Sequence, residues 1–457
     1  MEKGELIILN ETKKTTDKKN IIIKVIGILI IISLLICFII ALINHNTNNK
    51  SNSNSTNNSS SSNKNTSTSS SLKITSGGKY NITGENTCIV INTNEDVELD
   101  LEDATITCDN GPAINIESGD VTIVLTGENT ITSTTTEDLD GAIYSKDDLI
   151  FSGDGSLTIN SNYDGIVSKD DLVINGGTYT INTSDDGIRG KDSVTINDGV
   201  FNITAKGDGI KSTNEEESDK GYININGGTF NINSTNDAIQ AVTNLYIKDG
   251  TFNIKTTGNT SNDSAKGLKA NTLITIDGGN FDIDSTDDSI HSNSNIVINN
   301  GKYTINSDDD GIHADGMIEI NKGTFDITAH EGIEATYVKI NDGNIDINAS
   351  DDGINAGNKS KSYSTKIEIN GGDITINMGQ GDTDGVDSNG DIVINGGTIS
   401  VTGQSTFDYD GTGTINGGTV ICNGEKVSTL PNQMMGGGPN GGNMNPRLNG
   451  NMMPGRR

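Results

Sequence analysis

Apolar and polar residues alternate in short stretches over most of the chain, from residue 73 to residue 430. The stretch VINGGTYTINTSDDGIRG at 173–190 returns as IEINKGTFDITAHEGIEA at 318–335 and as VKINDGNIDINASDDGINA at 338–356. The acid of the Asp-Gly-Ile motif recurs mostly every 21–22 residues, and three steps are stretched to 29, 29 and 32 residues. A fixed period of roughly 20–50 residues indicates a repeat architecture.

Each repeat divides into three alternating stretches, such as Ile312-x-Ala314, Ile318-x-Ile320 and Phe325-x-Ile327. Alternation is the signal of a β-strand, and three strands in one period leave room only for tight corners and none for a helix. We therefore predict an all-β fold, a right-handed single-stranded parallel β-helix with three short strands per 21–22-residue coil. Neighbouring coils should lie about 4.8 Å apart.

The corners of the repeat carry a turn whose third residue is glycine in eleven repeats and whose first residue is Asn in nine of these. Glycine suits a backbone with positive φ, and the Asn side chains are expected to hydrogen-bond from coil to coil. Aromatic residues follow this turn at Tyr179, Phe201, Phe230, Phe252, Phe281, Tyr303 and Phe325. They resemble a sugar-stacking strip, but they share a face with the next Ile, so we interpret them as an internal ladder.

The ends of the chain differ from the repeats. Residues 21–43 are apolar except for Lys24 and Ser33, and this segment is long enough for a transmembrane signal anchor. The lysines before it predict that the N-terminal segment 1–20 is cytoplasmic. Residues 44–72, rich in Ser and Asn, predict a disordered linker, and 431–457, rich in Gly, Asn and Met, a disordered tail. We therefore predict a single-pass protein of the cell membrane whose β-helix domain at 73–430 is extracellular.

The domain at 73–430 contains 58 acidic and 20 basic residues, a net charge of −38. Such a charge argues against nucleic acid as a partner, because binding phosphate needs Lys and Arg. It fits a partner that is neutral, basic or bridged by cations, and we expect the domain to be a monomer.

The cysteines make no zinc pattern. Cys88 and Cys108 are 20 residues apart, about one repeat, so they could stack closely enough for a disulfide. Two reduced thiols in the core fit the spacing equally well.

The motif acids predict a stack of side chains that we call the carboxylate column. It consists of Asp164, Asp186, Asp208, Asp237, Asp288, Asp310, Glu331, Asp352 and Asp384, with Lys266 between the fourth and the fifth. Neighbours about 5 Å apart repel by about 1 kcal/mol in water and by more when partly buried. Raised pKa values of some of these acids, or cations between the coils, would relieve this repulsion, and Lys266 would supply one cation from the protein.

Oxygen ligands at this density favour Ca²⁺. The candidate calcium ligands are motif acids and the acids before them: Asp185, Asp186, Asp208, Asp287, Asp288, Asp309, Asp310, Asp351 and Asp352. The alternative is that each Asp caps its own turn and stays solvated.

A catalytic interpretation would use Arg189, the only Arg within 73–430, which lies beside Asp185 and Asp186. Hydrolases and lyases on β-helices use paired Asp residues, and the lyases add Ca²⁺ and an Arg or Lys base. However, the acidic cluster is repeated in almost every coil, whereas a catalytic site is usually unique. We therefore predict no catalytic residue and keep Arg189 as the alternative.

Two insertions, 212–221 and 357–366, fall at one corner, roughly 29 Å apart at about 4.8 Å per coil. Repeat proteins commonly bind on the face that carries their insertions. The residues predicted to bind a polysaccharide between the insertions, which we call the trough, are Gln240, Lys269, His291, His313 and Glu334. For His291 and His313, one coil apart, surface contact is preferred over a zinc site.

The Asp-Gly-Ile unit joined to Ile-Asn-Gly-Gly-Thr-Phe, behind a Ser/Asn spacer and before a Gly/Asn/Met tail, resembles a known family over about 73–430. These are bacterial cell-surface carbohydrate-binding β-helix proteins, related in fold to pectate lyases. The resemblance implies binding of cellulose or polygalacturonate, with calcium held on the β-helix. This chain departs from the family's motif at four positions. Lys266 and Glu331 replace the motif Asp, and Ala238 and Ser289 replace the motif Gly.

The resemblance therefore favours a membrane-anchored, calcium-dependent polysaccharide-binding protein without catalysis. Two alternatives remain at this stage. One is a pectate-lyase-like enzyme that uses Arg189 or a lysine, and the other is a structural surface adhesin.

Overall fold

The computed structural model describes residues 71–135, 137–258, 264–380 and 383–432. Every helix or strand within these ranges is a β-strand, and the strands, 42 in number, are labelled β1–β42 along the chain. The predicted anchor at 21–43, its flank 1–20, residues 44–70 of the linker and residues 433–457 of the tail lie outside the described residues. Within the described ranges, no helix is long and apolar enough to cross a membrane.

The strands pair in parallel from coil to coil in three sheets, which confirms the predicted parallel β-helix. Sheet A, which follows the motif acids, consists of β1 (Leu72–Ile74), β3 (Ile89–Asn92), β5 (Ile114–Ser118), β8 (Gly141–Ser145), β11 (Asp164–Ser168), β14 (Ile188–Gly190), β17 (Ile210–Ser212), β20 (Ile239–Ala241), β23 (Leu268–Ala270), β26 (Ile290–Ser292), the first parts of β29 (Ile312–Ile320) and β31 (Ile333–Ile340), β33 (Ile354–Ala356), β36 (Asp384–Ser388) and β39 (Ser405–Tyr409). Leu72, which composition placed in the linker, is the first residue of β1.

Sheet B follows sheet A in each coil. It consists of the first parts of β2 (Gly78–Asn86) and β4 (Val97–Cys108), β6 (Val121–Thr126), β9 (Leu149–Gly153), β12 (Asp171–Ile174), β15 (Ser193–Ile196), β18 (Tyr222–Ile225), β21 (Asn244–Ile247), β24 (Leu273–Ile276), β27 (Asn295–Ile298), the last parts of β29 and β31, β34 (Lys366–Ile369), β37 (Asp391–Ile394) and β40 (Gly413–Ile415).

Sheet C completes the coil. It consists of the last parts of β2 and β4, β7 (Glu128–Ser133), β10 (Ser156–Ser161), β13 (Thr178–Thr183), β16 (Val200–Ala205), β19 (Thr229–Ser234), β22 (Thr251–Thr256), β25 (Asn280–Ser285), β28 (Lys302–Ser307), β30 (Thr324–Ala329), β32 (Asn344–Ala349), β35 (Asp373–Met378), β38 (Thr398–Thr402), β41 (Thr419–Cys422) and β42 (Glu425–Val427). The pairing of β41 with β42 is antiparallel.

The core is a stack of identical positions, because the register pairs each repeat with the next. Tyr179 lies beside Phe201, and Phe201 beside Phe230. From Tyr179 to Phe325 the ring centroids are 4.5–5.0 Å apart and the ring planes are within 5° of parallel. All of these rings are buried, which confirms the internal aromatic ladder.

The corner between sheets B and C has the predicted turn. The glycine at the third position of the turn has a positive φ in all eleven repeats. At Gly199, for example, φ is +136°, and a Cβ would also lie 3.0 Å from the ring of Phe201. The Asn side chains bond from coil to coil, as where Nδ2 of Asn197 donates to Oδ1 of Asn175 over 2.7 Å. The turn therefore requires glycine for its backbone and Asn for its side-chain ladder.

The open question about the cysteines is resolved at the N-terminal end of the domain. Cys88 and Cys108 form a disulfide, with Cα atoms 5.0 Å apart. The one-coil spacing brought the two residues side by side, and the bond joins the first coils of the β-helix.

Candidate functional site

The carboxylate column lies at the start of the sheet A strands, and six of its acids, Asp164, Asp186, Asp208, Asp237, Asp288 and Asp352, use one oxygen to hold the next coil. Oδ1 of Asp164 accepts the backbone N–H of Asp186 at 2.9 Å, and Oδ1 of Asp186 accepts that of Asp208 at 2.8 Å. The same bond recurs from Asp208 to Asp237 at 2.9 Å. These four acids are 0–4% exposed. In these coils the alternative, that each Asp caps its own turn and stays solvated, is therefore wrong, because each of these bonds reaches the next coil and the carboxylates are buried.

In several coils the second carboxylate oxygen faces the sheet A position three residues after a motif acid, either in the same coil, as for Asp208, or in the next coil, as for Asp237. The side chains at this position, which we call the outer column, are Val167, Arg189, Lys211, Gln240, Lys269, His291, His313, Glu334, Asn355 and Asp387, in register from coil to coil. Lys211 Nζ lies 2.7 Å from Oδ2 of Asp208, and Lys269 Nζ lies 2.9 Å from Oδ2 of Asp237. Protein cations thus neutralise this part of the carboxylate column.

Arg189 is held by two acids. Its guanidinium contacts Asp140 and lies 2.8 Å from Oδ2 of Asp164. Burial opposes its charge, but the carboxylates of Asp164 and Asp140 outweigh burial and raise the pKa of Arg189. A general base must be able to lose its proton, so this environment is the opposite of what a lyase base requires.

Asp140 was missed by the sequence analysis. It stands before Gly141 and Ala142, and in the register Gly141, not Asp140, pairs with Asp164. The extra Ala142 displaces the acid from the carboxylate column. The Asp-Gly dipeptide at 140–141 was the available signal.

Lys266 stands where the motif acid is missing. Its Nζ lies 2.6 Å from Oδ1 of Asp287 and 2.9 Å from Oδ2 of Asp288. This contact confirms the expected protein cation at the break in the column.

The two histidines of the outer column turn one ring nitrogen to the carboxylates. Nδ1 of His291 lies 2.6 Å from Oδ2 of Asp288, and Nδ1 of His313 lies 2.7 Å from Oδ2 of Asp310. Each histidine side chain is only 13% exposed. Burial, with the charges of Asp288 and Glu334, raises the pKa of Asp310 to about 9. The two histidines therefore belong to the acidic site and do not form an open surface.

The C-terminal end of the column is strongly acidic. Burial, and then the charges of Asp387, Glu331 and Asp351, raises the pKa of Asp352 to about 8. Among the described residues no Lys or Arg forms an ion pair with Asp351, Asp352 or Asp387. Asn355, beside them in the outer column, buries its Oδ1 without a hydrogen-bond partner.

The two insertions leave the β-helix between sheets A and B, as predicted, but they fold against it. Asn214 of the first is 1% exposed and donates to Asp192 over 2.7 Å. Lys359 of the second contacts Glu334 and lies 3.4 Å from Nε2 of His313. Lys359 thus lies at one end of the trough, while much of each insertion is exposed, as at Glu215 and Lys361.

A polar surface outside the predicted trough follows sheet C. Three shallow grooves lie on its outer face, where the outward residues of successive strands stack as amides and hydroxyls. We call the following side chains the polar ladder: Thr158, Asn160, Thr180, Asn182, Asn202, Thr204, Asn231, Asn233 and Asn253. Nδ2 of Asn231 donates to Oδ1 of Asn202 over 2.9 Å, so the stacked amides orient one another. The recurring Thr or Asn on both sides of an inward Ile, as in Thr180-x-Asn182 and Asn202-x-Thr204, was a signal for this surface that the sequence analysis did not use.

The fold and the site define a parallel β-helix repeat protein with a buried carboxylate column and a polar ladder. The chain belongs to the family of carbohydrate-binding domain-containing proteins, whose model matches residues 68–311 and 308–429. No curated protein matches the sequence significantly. Among solved structures, the chain is similar to a polysaccharide lyase-like protein from C. thermocellum, determined as a gadolinium derivative. The identity is 32%, the match covers 45% of this chain and 87% of that chain, and the TM-score is 0.41.

Proposed function

We propose that this protein is a membrane-anchored, cell-surface protein that binds a polysaccharide of the cellulose or polygalacturonate type, without catalysis and with calcium. Family membership supports carbohydrate binding. The polar ladder is the observation that carries the proposal, because it offers donors and acceptors along several coils on one face. A rigid sheet presents these groups with little loss of conformational freedom on binding.

The polar ladder is a better glycan surface than the trough. Lys269 and Glu334 of the trough are engaged by Asp237 and Lys359, respectively, and the histidines by acids. In contrast, Asn182, Asn231 and Asn233 of the polar ladder are exposed on the outside of sheet C. The trough stays a prediction, and the two surfaces can be separated by experiment because they lie on different sheets.

The triple variant Asn182→Ala, Asn231→Ala, Asn233→Ala is expected to weaken glycan binding. Each lost hydrogen bond contributes about 1 kcal/mol, so the dissociation constant should rise at least about tenfold. A glycan array with the wild-type chain in calcium identifies the ligand, and calorimetry then compares the variants.

The matched control is the trough variant Gln240→Ala, Lys269→Ala, His291→Ala, His313→Ala, for which we expect a smaller loss. A loss confined to the trough variant would move the binding surface to sheet A. No glycan bound by the wild-type chain, with or without calcium, would favour a structural adhesin.

The absence of catalysis is supported by the two carboxylates that hold Arg189 charged. Incubation with polygalacturonate should produce no absorbance from unsaturated uronides. Its appearance would establish the lyase alternative.

Calcium fits best at the C-terminal end of the carboxylate column. Asp351, Asp352 and Asp387 offer carboxylate oxygens, and Asn355 offers an amide oxygen that lacks a partner. Hard oxygen ligands of this kind suit Ca²⁺. Where Lys211 pairs with Asp186 and Asp208, the protein already supplies the charge, so those coils fit an ion less well.

Stability in chelator is expected to fall as pH rises from about 4 to about 8. Burial and acidic neighbours raise the pKa of Asp352 to about 8, and burial with Glu334 raises that of Glu331 to about 7. The folded state then holds more protons than the unfolded state in this window, so raising the pH favours unfolding. Calcium should raise the melting temperature most at pH 8, as followed by circular dichroism.

The control for calcium is the double variant Asp352→Asn, Asp387→Asn, which should lose most of the calcium response and the part of this pH slope that Asp352 contributes. Equal melting temperatures of the wild-type chain in calcium and in chelator at pH 8 would contradict calcium binding.

A further inference from the structure

Two consecutive coils carry the pattern Asp-x-x-His, as Asp288 to His291 and Asp310 to His313. Strands β26 and β29 pair so that His291 lies beside His313. The ring centroids are 4.8 Å apart, and the rings are tilted by 49° instead of stacking flat. The repeat therefore concentrates two imidazoles and two carboxylates at one place on sheet A.

The ligand atoms of this cluster are separated by distances suited to a small divalent ion. Oδ2 of Asp288 lies 2.6 Å from Nδ1 of His291 and 3.7 Å from Nδ1 of His313. Nδ1 of His313 lies 2.7 Å from Oδ2 of Asp310 and 3.4 Å from Oε2 of Glu334. Tetrahedral zinc with bonds of about 2.0–2.2 Å needs ligand atoms roughly 3.3–3.6 Å apart. Shifts of less than about 1 Å would bring these pairs to that spacing.

Groups outside the cluster can hold each imidazole with Nδ1 free to bind. Nε2 of His291 lies 2.8 Å from Oδ1 of Asn293, which accepts a hydrogen bond from Nε2–H when Nδ1 is the ligand. Nε2 of His313 lies 3.7 Å from Oδ1 of Asp315. An oxygen acceptor behind the ligating histidine is the usual support of a zinc site, because it sets the tautomer and the ring orientation.

We propose that Asp288, His291, Asp310 and His313 bind a divalent transition metal of the zinc class, with Glu334 as a further oxygen ligand. Imidazole nitrogen selects zinc, copper, nickel and cobalt, whereas calcium prefers oxygen alone. The site is separate from the calcium site at Asp352 and does not depend on glycan binding.

Lys359 competes with the metal in this arrangement. It contacts Glu334, and its Nζ lies 3.4 Å from Nε2 of His313, where it favours the tautomer with the proton on Nδ1. Metal binding moves this proton to Nε2 and displaces the ammonium group. The inserted segment 357–366 thus places a removable cation beside the site.

The test uses the full chain, stripped with chelator and titrated with Co²⁺, whose visible absorption reports nitrogen and oxygen ligands in a tetrahedral field. Zn²⁺ should displace Co²⁺ at one equivalent, and calorimetry should give the zinc affinity. Replacing His291→Ala or His313→Ala should weaken binding by more than the roughly 10–100-fold typical of a lost outer partner. Asn253→Ala, on the outer face of sheet C, is the control and should bind as the wild-type chain does.

Two further variants keep the test decisive if an alanine variant folds poorly. His313→Gln retains a polar side chain and should still lose the cobalt spectrum. Lys359→Met removes the competing charge and should tighten zinc binding by about five- to tenfold.

Three results would overturn the proposal. They are a cobalt spectrum that survives in both His291→Ala and His313→Ala, an equal loss in Asn253→Ala, and displacement of Co²⁺ by an equal concentration of Ca²⁺. Failure of the calcium proposal is distinguishable, because Asp352→Asn, Asp387→Asn should leave the cobalt spectrum intact.

Discussion

Replacing Phe230 by alanine is expected to lower the free energy of unfolding by about 3–5 kcal/mol. The ring is fully buried and stacks 4.9 Å from that of Phe201 and 4.8 Å from that of Phe252. The variant loses the buried ring, leaves a cavity and interrupts two stacked pairs, each contributing about 0.5–1.5 kcal/mol beyond burial. Denaturant unfolding followed by circular dichroism measures the change.

The same strand supplies the control for Phe230. Asn231→Ala changes an outward side chain of β19 and should leave the unfolding midpoint near that of the wild-type chain. Each coil contacts only its neighbours, so the Phe230→Ala variant should lose most stability in the coils around residue 230. An unchanged midpoint for Phe230→Ala would show that the aromatic ladder does not stabilise the coils.

Replacing Arg189 by methionine is expected to lower the free energy of unfolding by about 3 kcal/mol at pH 8, because it leaves buried acids without their cation. The side chain of Asp164 is only 1% exposed, and that of Asp140 is 18% exposed. Burial already raises the pKa of Asp164 to about 7 against the opposing charge of Arg189. The loss should therefore be smaller at pH 5, where Asp164 takes up a proton, as denaturant unfolding at the two pH values will measure.

A second substitution tests the cause of the Arg189 effect. Arg189→Met combined with Asp164→Asn removes the buried charge along with its partner, so the double variant should recover part of the stability. The Arg189→Met variant could instead lose the same free energy of unfolding at pH 5 and pH 8, with no recovery in the double variant. That result would show that the effect comes from lost packing of the Arg189 side chain.

Much of the carboxylate column could be predicted from sequence, because a repeat places equivalent residues above one another. The motif acids, Lys266 and the outer column all have the register that their spacing indicates. Their contacts could not be predicted in the same way. Spacing does not say which way a side chain turns, and His291 and His313 turn Nδ1 to the acids instead of to solvent.

The sequence by itself determined the β-helix, the number of strands in a coil and the inward face of each strand. These features depend on local alternation and on turns such as that at Gly199, whose φ is +136°. Only the tertiary structure decided the pairing of Arg189 with Asp140, the disulfide of Cys88 and the position of Lys359 over Glu334. Such contacts cross coils, corners or insertions, where the period no longer specifies the distance between two side chains.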